Sequence, residues 1–120
     1  MWQVITTERF DIWFNCQPEL LQDEVLAVFR ILSEFGPQLG RPYVDTVKGS
    51  IFSNMKELRI QYAGSPVRAF FAFDPARRAI VLCAGDKTGV NETRFYKEMI
   101  KIADAEFSKH MRNKELLWQP

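Results

Sequence analysis

The sequence predicts an α+β domain whose elements follow the order β-α-α-β-β-β-α. Apolar residues recur at helical spacing over residues 10–32 and again after Asn91. Between these segments, residues 56–62 alternate apolar and polar side chains, as in a half-buried strand. We therefore expect the last three strands to form an antiparallel meander with the opening strand beside them, and the helices to pack on one face of the sheet.

Capping residues indicate where the first two helices begin and end. Residues 2–5 predict a short strand, after which Thr6 or Thr7 can cap the first helix. Pro18 suits the first turn of the second helix. Gly36, which is followed by a proline, is expected to end that helix.

Short turns divide the second half of the chain into strands. Residues 37–55 predict a connecting segment, because glycine, proline, serine and asparagine punctuate it. Strands are predicted at 56–62, 67–73 and 79–84, and the last of these is apolar throughout. Asn91 can then cap the final long helix.

Length and composition fit a single domain. The chain has 120 residues, of which 47% are hydrophobic, and this is enough for one core. We expect the domain to occupy residues 1–110 and a C-terminal tail to occupy 111–120, in which Leu116, Leu117 and Trp118 could form a short packing or partner-binding helix. Since the sequence has no long apolar run and no secretory signal, the expected location is the cytoplasm, without membrane association.

The net charge of +1 conceals an uneven distribution along the chain. Residues 1–47 hold three Lys/Arg against seven Asp/Glu, a net charge of −4. Residues 48–101 hold ten Lys/Arg against five Asp/Glu, a net charge of +5. A basic middle segment is compatible with nucleic-acid binding and equally with an ordinary solvated surface.

The residues that common catalytic motifs need are missing. His110 is the single histidine, which argues against a histidine triad or a multi-histidine metal site, and we expect it near a helix end. Cys16 and Cys83 lack the spacing of metal ligands and predict reduced cysteines in or near the core. We therefore expect neither a metal ion nor a cofactor.

Basic and phenolic side chains on the predicted sheet are the remaining candidates. Arg59 and Arg68 lie on neighbouring strands and form a cationic pair if the register places them on one face. Lys87 leaves the end of the next strand toward the same region. The start of the last helix adds three further candidates, Arg94, Tyr96 and Lys97.

Such a set suits metal-independent cleavage of RNA, in which the ribose 2′-hydroxyl attacks the adjacent phosphate. Arginine and lysine can bind the phosphate and stabilise its extra negative charge, and tyrosine can stack on a base or move a proton. The alternative interpretation is solvent-exposed charge on an antiparallel sheet. No carboxylate or histidine is obviously placed as a general base, so a lysine, Tyr96 or positioning alone would have to carry proton transfer.

Four runs of sequence carry a family resemblance. They are Lys56-Glu57-Leu58-Arg59-Ile60, Val67 to Phe73, Ile80 to Lys87, and Arg94 to Met99. In order and spacing, the run from Gly40 through Phe107 resembles the RelE/HigB toxin superfamily and is close to its phage Gp49-like branch. The resemblance implies a RelE-like fold and the toxin of a type II toxin–antitoxin system. It implies cleavage of mRNA on the ribosome, and neutralisation by an antitoxin that is often of the helix-turn-helix type.

The resemblance also implies roles for individual residues. By position, Arg68 matches the family's catalytic arginine, Lys87 the basic residue after the last strand, and Tyr96 the tyrosine of the terminal helix. The residues expected to bind RNA are Lys56, Arg59, Arg94 and Lys97. The chain departs from the RelE pattern because Met55 and Glu57 stand where two lysines are expected, and it lacks the histidines of the HigB pattern.

Two alternatives remain open at this stage. ParE-like members of the same superfamily inhibit DNA gyrase without cutting RNA, and a phage-derived assembly protein would not be toxic. The retained arginine, lysine and tyrosine set favours RNA cleavage over both.

Overall fold

The described residues form one five-stranded sheet and three helices. A computed structural model describes the backbone of residues 1–117 and the side chains of residues 1–113. The strands are β1 (Gln3–Thr6), β2 (Val44–Thr46), β3 (Lys56–Tyr62), β4 (Ser65–Asp74) and β5 (Arg78–Asp86). The helices are α1 (Glu8–Asn15), α2 (Glu19–Phe35) and α3 (Glu92–Leu117). The predicted α+β class and the meander are confirmed, with strand order β1-β5-β4-β3-β2.

The two outer strands of the sheet show features that the sequence did not predict. The opening strand β1 does lie beside the meander, where it pairs with β5 in parallel, so the sheet is mixed. At the other edge, β2 pairs antiparallel with β3 inside the segment 37–55 that was predicted to be a connection. A strand of three residues is too short to show an alternating pattern, and its existence depends on the neighbour that it pairs with.

The prediction that all helices pack on one face of the sheet is wrong. Helices α1 and α2 cover one face, with Phe10 and Val25 in a core that also contains Phe71. Helix α3 covers the opposite face, where Phe107 packs in a second core with Phe70. The physical reason is that β4 and β5 are apolar at consecutive positions, so both faces of these strands must be removed from water.

The predicted caps define the helix boundaries closely. The Thr7 hydroxyl accepts a hydrogen bond from the backbone N–H of Phe10, and Asn91 caps α3 in the same way. Helix α2 begins at Glu19, so Pro18 is its cap residue and lies one position before the first turn. Gly36 ends α2 with a φ of 57°, a conformation that suits glycine.

The final helix crosses the boundary that was expected at residue 110. It continues through Leu117, and Met111 packs against the second core. Residues 116 and 117 are therefore part of α3, while Trp118 lies outside the described residues. Within the described part of the chain, every helix is too short or too polar to cross a membrane.

The two cysteines lie in different environments. Both are free, and Cys83 is buried in the second core as expected. Cys16 is exposed in the connection after α1, so its expected place in or near the core is wrong. Burial raises the pKa of the Cys83 thiol to about 12.

A buried carboxylate joins the turn between β4 and β5 to α3. The Asp74 side chain is fully buried and accepts hydrogen bonds from the Arg78 guanidinium at 2.8 Å. Its second contact is the His110 ring at 3.0 Å. His110 was expected near a helix end, but α3 continues beyond it and the imidazole faces this turn instead. Burial acts to raise the pKa of Asp74, but the hydrogen bonds from Arg78 and His110 outweigh it and lower that pKa to about 2.

We predict that Gly36→Ala destabilises the fold, because a Cβ at Gly36 would lie 2.3 Å from the indole nitrogen of Trp2 and the φ of +57° strains an alanine. The free energy of unfolding should fall by about 2 kcal/mol or more. Urea denaturation measures it, with Gly40→Ala as the control, since a Cβ at Gly40 meets no atom within 4 Å. Equal stabilities for the two variants would contradict the packing described here.

The low pKa of Asp74 predicts a pH-dependent contribution to stability. Its folded-state pKa of about 2 is below the ordinary value of 3.8, so the contribution is present above pH 3.8 and lost as the pH falls through about 2. We expect Asp74→Asn to lower the free energy of unfolding by on the order of 2 kcal/mol at neutral pH. Denaturation of both proteins from pH 7 downward checks this, because the gap between them should close in the acid range. A gap that persists at the lowest pH would refute the assignment.

Candidate active site

An open groove of about 480 Å³ lies where the β2–β3 edge of the sheet meets the start of α3. Four cationic side chains line it, namely Arg41, Lys48, Arg59 and Lys87. Three carboxylates, those of Asp45, Glu57 and Glu92, line it as well. Arg41, Arg59 and Lys87 form ion pairs with these three carboxylates, and with Lys48 the lining carries a net charge of +1. This charge is compatible with an anionic ligand.

The register of the central hairpin brings the two predicted arginines together. Arg59 pairs directly with Arg68 across β3 and β4. Their neighbours Leu58 and Ala69 point into the α1–α2 core, so alternation places both arginines on the face that α3 covers. The two differ in burial, since 23% of the Arg59 side chain is exposed but only 5% of the Arg68 side chain is.

This burial changes what Arg68 can do. Only 5% of the Arg68 side chain is exposed, and Arg68 is not among the residues that line the groove, whereas Arg59 is. Arg68 donates to the backbone carbonyl of Val67, and its Nε is a buried N–H without a hydrogen-bond partner in the described part of the chain. The charge of Arg68 is compensated by an ion pair with Glu57, whose nearest oxygen lies 3.7 Å from this Nε, too far for a hydrogen bond.

The Glu57 carboxylate connects these side chains, although it was not predicted as a site residue. Its side chain is 7% exposed and accepts a hydrogen bond from Arg59 Nη1 at 3.2 Å. The Tyr96 hydroxyl donates to its other oxygen at 2.5 Å, and Arg68 Nε lies 3.7 Å from that same oxygen. The sequence signal that could have identified Glu57 is its position in β3 two residues before Arg59, on the same side of the strand.

Lys87 and Tyr96 approach the groove from β5 and α3. The backbone N–H of Lys87 donates to the Pro66 carbonyl, which holds the lysine just beyond the end of β5. Its ammonium group pairs with Glu92 at 2.7 Å and lies 5.4 Å from the centre of the Tyr96 ring, a cation–π contact. Gly85 permits this arrangement, because a Cβ there would lie 3.1 Å from Phe95 in the first turns of α3.

The Tyr96 hydroxyl is held as a neutral donor. Burial raises its pKa, and the hydrogen bond to Glu57 and the negative charge of Glu57 raise it further, to about 12, against the opposing effect of Arg68. Edge-on contacts with Phe70 and Phe95 fix the orientation of the ring. A tyrosine in this state is a poor base by itself, because nearly all of it is protonated at neutral pH.

Three predicted site residues do not reach the groove. Lys56 pairs with Phe71, which faces the α1–α2 core, so it lies on the opposite face from Glu57. Arg94 and Lys97 line a separate hollow along α3. Residues two before and one after Tyr96 in a helix point in other directions when Tyr96 faces the sheet. The structure thus brings Arg59, Lys87 and Tyr96 together at the groove, with Arg68 close to them. The other three predicted residues, Lys56, Arg94 and Lys97, lie away from it.

The fold is shared with RelE toxins of known structure. A mutant of the Escherichia coli toxin RelE in the free state superposes with a TM-score of 0.61 over 83% of this chain and 95% of that one, at 11% sequence identity. The RelE chain of the RelE–RelB complex from Pyrococcus horikoshii gives a TM-score of 0.55 over 74% of this chain and 98% of that one, at 13% identity. The architecture is therefore that of the RelE toxin class.

Sequence comparison places the chain within that class. The family described as "Phage derived protein Gp49-like (DUF891)" matches residues 12–108. The chain therefore belongs to the Gp49-like family of the RelE/HigB toxin superfamily, and the resemblance noted in the sequence is confirmed.

Two relatives from Mycobacterium tuberculosis are similar over most of this chain. The protein named "Putative toxin HigB2" is 50% identical over 105 residues, which is 87% of this chain. The protein named "Putative toxin HigB3" is 46% identical over 101 residues, which is 84% of this chain. The match spans 52% of the length of HigB2 and 86% of the length of HigB3.

We predict that Glu57→Gln lowers the pKa of Tyr96 below about 12, because the negative charge of Glu57 is one of the causes that raise it. Titration of ¹³C-labelled tyrosine by NMR measures the pKa directly. Glu92→Gln is the matched control, since Glu92 pairs with Lys87 and is not among the groups that shift Tyr96. An unchanged Tyr96 pKa in Glu57→Gln would contradict the contact between the two side chains.

Proposed function

We propose that this chain is the toxin of a type II toxin–antitoxin system and that it acts as an endoribonuclease on mRNA at the ribosome. Membership of the Gp49-like family and similarity to two proteins named as toxins support the toxin assignment. The observation that carries the nuclease assignment is the convergence of Arg59, Lys87 and Tyr96 on one open groove.

The groove supplies the groups that metal-independent cleavage of RNA requires. Arg59 and Lys87 bind the scissile phosphate, where their charges stabilise the additional negative charge of the pentacoordinate transition state. Tyr96 contacts Lys87 through its ring, and its hydroxyl donates a hydrogen bond to Glu57. The 2′-hydroxyl then attacks the adjacent phosphorus, and the bond from phosphorus to the 5′-oxygen of the next nucleotide breaks.

Arg68 acts in this proposal as a positioning residue. Its side chain is only 5% exposed and does not line the groove, so we propose an indirect role for it in place of the catalytic role that the family resemblance implies. It compensates the charge of Glu57 and thereby helps to hold Arg59 and Tyr96 in place.

The proposed partner is a cognate antitoxin, of the helix-turn-helix type. One structural relative was solved as a RelE–RelB complex, which supports an antitoxin partner for this chain. An antitoxin that neutralises the toxin by occlusion would cover the groove. The proposed substrate, mRNA on translating ribosomes, places the toxin in the cytoplasm.

We predict that Lys87→Ala and Arg59→Ala each abolish the growth arrest caused by induced expression. Removal of one preorganised cation that binds the transition state should slow cleavage roughly 100-fold or more. Growth curves and primer extension on cellular mRNA measure the two effects. Lys109→Ala and Arg30→Ala are the matched controls, because both side chains lie outside the groove, and they should retain full toxicity.

Two outcomes would overturn the proposal. Full toxicity of both Lys87→Ala and Arg59→Ala would show that the groove is not the active site. Intact transcripts together with damaged or relaxed DNA after induction would replace RNA cleavage with inhibition of gyrase.

A further inference from the structure

The proposed reaction needs a proton acceptor, and no histidine lines the groove. Its two exposed carboxylates are each paired with a cation, Glu92 with Lys87 and Asp45 with Arg41. Glu57 also lines the groove, but only 7% of its side chain is exposed, and Arg59, Arg68 and Tyr96 surround its carboxylate. Tyr96 is half-buried and lines the groove, and its hydroxyl donates a hydrogen bond to the Glu57 carboxylate at 2.5 Å. This hydrogen bond provides a path from the groove to the buried carboxylate.

We propose that Tyr96 and Glu57 form a proton relay in which Tyr96 receives the proton of the ribose 2′-hydroxyl while it passes its own proton to Glu57. The inference rests on the proposed function and extends it. It makes Tyr96 the catalytic residue that contacts the substrate and Glu57 the final proton acceptor. Neither the sequence pattern nor the family resemblance assigned a role to Glu57.

The relay conserves every atom and charge of the cleavage step. The 2′-oxygen forms a bond to phosphorus as its proton moves to the Tyr96 oxygen, and the former Tyr96 proton moves to Glu57. The bond from phosphorus to the 5′-oxygen breaks, and this leaving oxygen takes a proton from the Lys87 ammonium group. The products are a 2′,3′-cyclic phosphate and a free 5′-hydroxyl, and solvent returns the proton from Glu57 to Lys87.

The relay removes the difficulty that Tyr96 presents as an isolated base. Burial and the neighbouring Glu57 raise the pKa of Tyr96 to about 12, so a mechanism through its phenolate would start from a very small population. In the relay Tyr96 is a neutral phenol both before and after the transfer. A hydroxyl that donates to a carboxylate can still accept a hydrogen bond through its oxygen.

The arginines couple this proton transfer to the chemistry at phosphorus. Arg59 and Arg68 both face Glu57, at 3.2 and 3.7 Å. When Glu57 accepts a proton, its negative charge disappears and these guanidiniums lose the charge that compensates them. Negative charge develops on the phosphate at the same moment, and Arg59 lines the groove where that phosphate lies. The positive charge that Glu57 releases is then available to the transition state.

Three variants test the relay: Glu57→Gln, Tyr96→Phe and the double variant. Glutamine keeps the shape of Glu57 and still accepts the hydrogen bond from Tyr96, but it cannot take a proton. Single-turnover cleavage of mRNA bound to ribosomes should fall roughly 100-fold or more in each single variant. The double variant should be no slower than the slower single variant, because both act through one pathway. Affinity for the same mRNA with a 2′-deoxynucleotide at the cleavage site should be unchanged in all three.

The solvent isotope effect separates proton transfer from a structural role. In the wild type, cleavage should be slower in D₂O than in H₂O, and this difference should be smaller in Glu57→Gln. Glu34→Gln on α2 is the control and should keep both the rate and the isotope effect. If Glu57→Gln does not fold, the cleavage rate of Tyr96→Phe alone tests the relay. Phenylalanine retains the packing against Phe70 and lacks only the hydroxyl.

The failure of the relay and the failure of the proposed function give different results. Wild-type protein that cleaves mRNA, with Glu57→Gln or Tyr96→Phe cleaving equally fast, would overturn the relay and leave the nuclease intact. Slower cleavage in both single variants with additive losses in the double variant would also overturn it, because the two residues would then act independently. Wild-type protein that leaves mRNA whole would overturn the proposed function itself.

Discussion

The buried carboxylate of Glu57 is the interaction on which the arrangement of the groove depends. It lies between the sheet and α3, where it meets two arginines from adjacent strands and a tyrosine from the helix. A charge in this position requires compensation, because an isolated buried carboxylate would cost several kcal/mol. Arg59, Arg68 and Tyr96 provide that compensation, and by doing so they become fixed relative to one another.

The packing of α3 makes this burial possible. Consecutive apolar residues in β4 and β5 expose apolar surface on both faces of the sheet, and α3 covers the face that α1 and α2 leave open. Its first turns approach β5 closely at Gly85, and its far half is tied to the β4–β5 turn through Asp74 and His110. The same helix therefore closes the second core and carries Tyr96 to the groove.

This chain shares its fold with RelE but differs from RelE in most of its residues. Identities of 11% and 13% to solved RelE chains accompany a shared architecture, so the backbone persists while most side chains differ. Where the RelE pattern leads one to expect a lysine, this chain has Glu57, whose carboxylate is held by Arg59, Arg68 and Tyr96. The proposed proton acceptor therefore differs from a lysine in charge.

Local patterns in the sequence were sufficient for the order of the elements other than β2, the caps at Thr7 and Asn91, and the end of α2 at Gly36. These features depend on spacing along the chain and on side chains that bond to their own backbone, so neighbouring residues contain the information. The placement of Arg59 and Arg68 on neighbouring strands was predictable for the same reason.

Only the tertiary structure decided that α3 lies on the opposite face, that Glu57 is buried, and that Lys56, Arg94 and Lys97 lie away from the groove. Each of these depends on which face of the sheet a distant helix covers. That choice is set by the total apolar surface that must be removed from water, which is a property of the whole chain. The alternating pattern of β3 therefore predicts a solvent-exposed Glu57. In the folded chain, a helix that begins more than 30 residues later covers this side chain and makes it part of the candidate site.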